Sequence, residues 1–360
     1  MKTSDFDYDL PPEFIAQTPL EPRDASRLLL LDRATGAITH NRFHDIGSYL
    51  RPGDLLVAND TRVLPARLRA RKTTGGAVEI LMLRRIRPLT WEALIGGKGV
   101  YLGSKLLIEG KTNLSAVVME ELEGPLRVLQ FSEPVTPLLE AVGETPLPPY
   151  IHEPLADPER YQTVFAKIPG SAAAPTAGLH FTPGLMDSLK TSGVRFASVT
   201  LHVGLDTFAP VTEDEVEEHK IHTEYCQLPR ETAMAINETR AKGGRVIAVG
   251  TTAVRVLETA ARASDDSAAT LGYTRVLEPR ESGTLRGLIQ PVVGNTDLFV
   301  TPGFKFQVVN ALVTNFHLPR STLLMLVSAF VGREKIMAAY EAAKAGHYRF
   351  YSFGDAMFIH

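Results

Sequence analysis

The apolar run Arg245-Val246-Ile247-Ala248-Val249 is followed by Gly250-Thr251-Thr252 and then by a helical pattern over residues 253–262. A short continuous apolar run that turns at glycine into a helix reads as a buried strand feeding a helix. The same order returns at Leu312-Val313-Thr314-Asn315, which passes through Phe316-His317-Leu318-Pro319-Arg320-Ser321-Thr322 into an apolar helix over residues 323–331. Units of this kind confine the chain to an α/β sheet, where ligands collect at strand ends and helix starts. At Gly250-Thr251-Thr252 the free N–H groups and hydroxyls of a helix start suit an anion or a ribose, and simple N-capping accounts for the same residues equally well.

The centre of the chain is Ala174-Pro175-Thr176-Ala177-Gly178-Leu179-His180-Phe181-Thr182, nine residues with no charge. Pro175 fixes φ and Gly178 permits a positive φ, a combination that shapes a turn and aims His180. Thr182 and Pro183 then supply an N-cap and a first helical residue. Thr200-Leu201-His202-Val203-Gly204 reads as a strand ending in a glycine turn. Leu55-Leu56-Val57-Ala58 is a strand ending at Asn59-Asp60-Thr61-Arg62, which is either a turn held by side-chain hydrogen bonds or a ligand edge. Further strands are expected at 27–32, from 38, at 299–300 and at 304–309, and helices at 230–242 and 333–345. The acidic stretch 213–218 reads as the start of a helix, where the dipole favours negative charge. Residues 348–358 read as an aromatic strand with a break at Gly354-Asp355.

Between residues 63 and 149 the character changes to short β-rich runs separated by Gly75-Gly76, Gly96-Gly97-Lys98-Gly99 and Gly124-Pro125. Several short strands at regular spacing predict a small all-β barrel. The fold class is therefore mixed α/β: a main α/β domain of residues 1–62 and 150–360, with an inserted β-barrel domain of residues 63–149. Arg62, Arg67, Arg69, Arg71 and Lys72 open the barrel with no acid among them. Alternation puts Arg67, Arg69 and Arg71 on one strand face, which is either a solvated face or a surface for RNA phosphates.

A formal net charge of −3 argues against a general electrostatic nucleic-acid binder, without bearing on a local basic patch. No apolar run reaches the roughly 18–20 residues of a membrane span. The single cysteine, Cys226, forms no internal disulfide and suits a reducing cytoplasm. There is no glycine-rich dinucleotide fingerprint after a strand and no Gly-Lys-Ser/Thr phosphate loop. His180, His202, His219, His222 and His317 concentrate near the candidate loops. They suit proton transfer near neutral pH, or a metal, or the satisfaction of buried carbonyls. From the residues alone the chain reads as a cytoplasmic two-domain α/β enzyme with a polar cleft lined by histidine and threonine.

The motif blocks carry a resemblance as well. Pro175-Thr-Ala-Gly-Leu-His-Phe-Thr182, Thr200-Leu-His-Val-Gly204, Glu218-His-Lys220, Val249-Gly-Thr-Thr252 and Thr314-Asn-Phe-His-Leu-Pro319 resemble the S-adenosylmethionine:tRNA ribosyltransferase-isomerase family of queuosine biosynthesis. So do Glu21-Pro-Arg-Asp24, Asn59-Asp-Thr-Arg62, Pro146-Leu-Pro-Pro-Tyr-Ile151, Tyr348-Arg-Phe350 and Gly354-Asp-Ala-Met357. The blocks run in order along essentially the full chain.

The resemblance implies transfer and isomerisation of the ribosyl part of S-adenosylmethionine onto 7-aminomethyl-7-deazaguanine at the tRNA wobble position. Epoxyqueuosine-tRNA, adenine and methionine are the implied products. S-adenosylmethionine would be consumed as a substrate, with no cofactor and no metal, by a cytoplasmic monomer that meets no membrane. His180 and His202 are the first candidates for proton transfer, followed by Asp60, Glu218, His219 and His317. Thr176, Gly178, Thr251, Thr252 and Asn315 are candidates for holding substrate, and Phe181 or Phe316 for stacking on adenine. The resemblance favours the tRNA reading of Arg62, Arg67, Arg69, Arg71 and Lys72. Replacing His180 by Ala is expected to abolish turnover with the fold intact. Two departures stand out: Leu205-Asp206 where Ala-Gly is expected, so that Asp206 is given no catalytic role, and a longer segment at 278–291. An RNA-binding module without catalysis and a metal-dependent hydrolase are the competing readings.

Overall fold

The structure is a computed structural model that describes residues 1–110, 113–204, 210–265, 275–276 and 287–360. The sequence departure at 205–206 lies outside the described residues, as does most of the longer segment at 278–291. The chain forms two compact units, Met1–Thr61 with Pro149–Ile168 and Ala174–His360, and Arg62–Pro148 with Pro169–Ala173.

The first unit is built on a ten-stranded sheet. Its centre is four parallel strands in the order Arg195–Leu201, Leu55–Asn59, Val246–Val249 and Ala311–Asn315. The last three are buried along their whole length, as continuous apolar strands in a parallel sheet must be. Ala356–Ile359 lies antiparallel to Ala311–Asn315 and parallel to Arg27–Leu31, and Ile38–Arg42 forms the edge. On the other side Glu224–Leu228 and Val292–Thr296 continue the sheet in antiparallel pairs.

Period-two alternation sends Leu28, Leu30, Leu56, Ala58, Ile247, Val249, Ala311, Val313, Ala356 and Phe358 into one core. Leu185 and Leu189 of the helix Pro183–Thr191 pack there, with Phe43, Phe165 and Phe181. That helix starts as its sequence predicts: the Thr182 side chain accepts from the Leu185 amide at 3.2 Å, and Pro183 is its first residue.

The second unit contains a closed six-stranded antiparallel barrel. Its strands run Arg67–Lys72, Ala77–Arg87, Thr90–Gly96, Leu126–Phe131, Ser115–Glu121 and Lys105–Ile108, and the last pairs back on the first. Closure leaves no long sheet edge, and alternate residues such as Leu68, Ile80, Trp91, Leu106, Val118 and Phe131 fill the interior. The chain is thus a mixed α/β protein with a small β-barrel.

Three local expectations fail for physical reasons. Residues 299–300 and 304–309 form no strands. The amides of Gln307, Val308 and Val309 donate instead to the buried Glu258 carboxylate, at 2.8, 3.0 and 3.0 Å, which takes the donors a ladder would use. The acids at 213–218 make only a single 3-10 turn, Val216–Glu218, and Glu215 and Glu217 pair with the Met1 ammonium at 3.1 and 2.9 Å. Residues 348–355 hold one isolated β-bridge, Phe350 to Ile15, and are otherwise turn, bend or irregular, and the strand begins only at Ala356. There the Asp355 carboxylate accepts from the amides of Arg27 and Arg349, at 2.8 and 2.7 Å.

Candidate active site

A cleft opens in the first unit at the carboxyl ends of Val246–Val249 and Ala311–Asn315. This is where an α/β sheet exposes strand-end loops and helix N-termini together. Its lining includes Thr176, Gly250, Thr251, Thr252, Thr314, Asn315, Phe316, His317, Tyr150, Tyr351 and Ser352, and no side chain that lines it is charged.

Gly250 takes a φ of +88°, which turns the chain sharply into the helix Thr251–Asp265. Thr252 is 9% exposed, lines the cleft, and its hydroxyl has no hydrogen-bond partner. A buried unsatisfied hydroxyl in the first turn of a long helix is able to bond an oxygen that enters the cleft. Tyr351, with a φ of +68°, is held in a conformation rare for an aromatic residue, and its ring lies 4.7 Å from that of Tyr150.

His317 lines the cleft at 8% exposure. Its Nε2 pairs with the Thr314 hydroxyl at 2.7 Å, its amide donates to the Tyr340 hydroxyl at 2.8 Å, and its carbonyl accepts from the Tyr8 hydroxyl. Burial pushes its imidazole down to about 3, so the ring is neutral at physiological pH.

His180 is fully buried and is not part of the lining. Its Nε2 faces the Asn315 amide at 3.1 Å and an Arg23 guanidinium nitrogen at 3.4 Å, while Nδ1 meets the Ser26 hydroxyl at 2.7 Å. Two donors on Nε2 make it the acceptor, so Nδ1 carries the proton and donates to Ser26. Burial, reinforced by Arg23 and Arg349, holds the ring well below the ordinary histidine range. Asn315, which also accepts from the Thr176 hydroxyl at 3.2 Å, stands between His180 and the cleft. Of the motif that the sequence singled out, Pro175, Thr176 and Ala177 line the cleft, and its histidine lies behind it.

Gly178 does not use a positive φ; it lies in the 3-10 turn Thr176–His180, where a Cβ would meet Thr163 at 3.0 Å. Phe181 points into the core, edge-on to Phe43, Phe165 and Phe196, and does not line the cleft. Phe316 lines the cleft. His202 and Asp60 form a second group at the ends of the strands Arg195–Leu201 and Leu55–Asn59: Thr61 Oγ1 meets His202 Nδ1 at 2.8 Å and Thr200 donates to Asp60 at 2.7 Å. Burial lowers the His202 pKa, against the opposing charge of Asp60. His219 pairs with Glu213 at 3.1 Å and packs edge-on to Phe299, and neither His219 nor the exposed Glu218 lines the cleft. Among the described residues no group of three or more His, Cys, Asp or Glu side chains is arranged to hold a metal ion.

In the barrel, Arg67, Arg69 and Arg71 do share an outward face, with Leu68 and Ala70 buried between them. Neighbouring elements set a glutamate against each: Glu79 at 3.8 Å, Glu144 at 2.7 Å and Glu109 at 2.6 Å. Lys72 donates to the Lys98 carbonyl at 2.9 Å, and Arg62 is half-buried at the entry to the barrel.

The sequence reading missed Tyr150, Tyr351 and Ser352. Each sits in or beside a motif block, at Pro146–Ile151 and Tyr348–Phe350, and an aromatic residue at such a place was the available signal.

Comparison with known proteins gives a consistent result. A family model described as queuosine biosynthesis protein matches residues 3–359. The S-adenosylmethionine:tRNA ribosyltransferase-isomerase of Carboxydothermus hydrogenoformans is 51% identical over 360 residues, and that of Thermotoga maritima 52% over 362, with 100% of this chain and of each relative covered. A crystal structure of the S-adenosylmethionine tRNA ribosyltransferase from Thermotoga maritima covers 99% of this chain and 100% of its own, at 43% identity and a TM-score of 0.55. With the motif blocks in order and the match spanning the chain, this protein belongs to the queuosine biosynthesis protein family, that of the S-adenosylmethionine:tRNA ribosyltransferase-isomerases.

Proposed function

We propose that the cleft binds S-adenosylmethionine as a consumed substrate, with no cofactor. Its ribosyl part is transferred and isomerised onto the aminomethyl group of 7-aminomethyl-7-deazaguanine at the tRNA wobble position, giving epoxyqueuosine-tRNA, adenine and methionine. The observation that carries this reading is the electrostatics of the lining: it has no charged side chain, it is rich in aromatic rings, and its histidine is held neutral.

S-adenosylmethionine brings its own positive charge on sulfur. A protonated histidine in the wall would repel it, and a neutral one does not. The faces of Tyr150, Tyr351 and Phe316 can stabilise a desolvated sulfonium through their ring quadrupoles. The sulfonium acidifies the adjacent C5′ hydrogens, and a dry wall strengthens that effect. Thr252 and the N-terminus of its helix take a ribose or methionine oxygen, and Thr176 and Asn315 orient the rest. His317 is the histidine of the lining, and His180 holds Asn315 from behind.

The test incubates the full chain with S-adenosylmethionine and tRNA carrying the aminomethyl-deazaguanine, then follows adenine release and nucleoside mass. Free adenine with a nucleoside that has gained an epoxycyclopentanediol unit supports the reading. A gain of one methyl group would make the protein a methyltransferase. Tight tRNA binding without product would make it a binding module, and loss of activity to a chelator would point to metal-dependent chemistry.

A further inference from the structure

Arg23 is 8% exposed, and among the described residues its Nε and Nη1 have no hydrogen-bond partner. Only Nη2 is engaged, donating to the Gly354 carbonyl at 2.9 Å and reaching the Ser352 carbonyl at 3.5 Å and His180 at 3.4 Å. Among the described residues no carboxylate lies within ion-pair distance of it. A buried guanidinium without a counter-charge is unfavourable, and two further guanidiniums gather on the segment that leads to it. Arg160 donates to the Leu20 carbonyl at 2.9 Å and pairs with Glu21 at 2.9 Å, where Glu21 is 74% exposed. Arg349 donates to the Thr18 carbonyl at 3.3 Å and the Phe353 carbonyl at 3.2 Å, and among the described residues has no ion pair. Arg160 and Arg349 are both partly exposed. Burial, then the charges of Arg349 and Arg160, lower the Arg23 pKa to about 9 against the opposing charge of Asp355.

We propose that Arg23, Arg160 and Arg349 form a phosphate site for the RNA backbone, beside the cleft that receives the modified nucleoside. This rests on the proposed action on tRNA. Ser352 links the two places: its carbonyl faces Arg23, and its hydroxyl, in the cleft wall, meets the Tyr150 hydroxyl at 2.8 Å. The barrel arginines are each set against a glutamate, whereas these three share one exposed carboxylate. A phosphate here supplies the missing counter-charge, and the partly exposed Arg160 and Arg349 give a polyanion access that the cleft interior does not.

Arg23→Met would remove a buried charge and is prone to misfold, so Arg160→Gln and Arg349→Gln carry the test, with Arg69→Gln as the barrel comparison. Binding of labelled tRNA to the full chain is measured by fluorescence anisotropy across a KCl series, and S-adenosylmethionine binding by equilibrium dialysis. The proposal expects each of the two variants to weaken tRNA binding about ten-fold and to reduce the slope of log K against log salt by about one, with S-adenosylmethionine binding unchanged. Weaker S-adenosylmethionine binding with unchanged tRNA binding would assign the cluster to the methionine carboxylate and overturn the phosphate site. A larger loss in Arg69→Gln would move the site to the barrel. If neither variant changes tRNA binding while the wild type still releases adenine, the arginines only clamp residues 18–21, and the proposed reaction stands without them. A wild type that neither binds tRNA nor releases adenine overturns both.

Discussion

The Nε2 atom of His180 lies 3.1 Å from the side-chain amide of Asn315, so a histidine sealed in the core sets the orientation of a residue in the cleft wall. Asn315 presents its carbonyl oxygen to Thr176 as a result. The histidine is not part of the cleft lining, and its link to the cleft is this bond to Asn315.

His180→Ala should therefore lower stability and activity together, where a histidine in the cleft would lower activity alone. Loss of a stacked ring beside Phe43 and of three polar partners is expected to destabilise by about 2–3 kcal/mol. Thermal unfolding and steady-state kinetics on the same preparation check this. An unchanged melting temperature with no turnover would return His180 to direct proton transfer.

Acid should destabilise the fold through its buried histidines. His180 and His317 are both held neutral, below their ordinary value of 6.5. The unfolded chain binds protons at these sites that the folded chain refuses. Their contribution is complete above pH 6.5 and is lost as pH falls below it, towards the folded values. Each histidine contributes a slope of about 1.4 kcal/mol per pH unit in that window. Denaturant melts between pH 7 and pH 5 should show this fall, and His317→Gln should flatten it.

Thr252→Val keeps the side-chain volume and removes a hydroxyl that has no partner in the protein. Stability is expected to hold or rise slightly, while S-adenosylmethionine affinity falls about ten-fold, or about 1.4 kcal/mol. Calorimetric titration and a thermal melt separate the two effects. Unchanged affinity would remove Thr252 from the substrate contacts.

Glu258→Ala leaves the amides of Gln307, Val308 and Val309 without their acceptor in a buried place. A loss of about 3 kcal/mol or more is expected in urea unfolding. A loss under about 1 kcal/mol would show that the segment finds other acceptors.

Two glycines should respond in opposite directions. Gly178→Ala puts a methyl group 3.0 Å from Thr163 and is expected to cost about 1–3 kcal/mol. Gly184→Ala meets nothing within 4 Å in the first turn of its helix and should stabilise by about 0.5–1 kcal/mol. Equal melting temperatures for the two variants would contradict both assignments.

Local chemistry made the strands and helix starts readable. Leu55–Asn59 and Val246–Val249 are buried on both faces, so their sequences are apolar up to the closing Asn59 of the first; Thr182-Pro183 and Ser321 carry the cap in the residue itself. Alternation in Arg67–Lys72 was equally visible, and so was the insertion of a β-rich segment. The order of motifs along the chain was enough to name the family. Side-chain direction and long-range pairing were decided only by the fold. His180 and Asn315 are 135 residues apart, Glu258 reaches amides some fifty residues on, and Arg69 meets Glu144 across 75. No local pattern encodes such meetings, because they depend on which strands become neighbours. Hence the histidine that the sequence put first stands behind the cleft, and the tyrosines Tyr150 and Tyr351 line it. The buried state of Arg23, with no carboxylate within ion-pair distance among the described residues, was evident only from the fold.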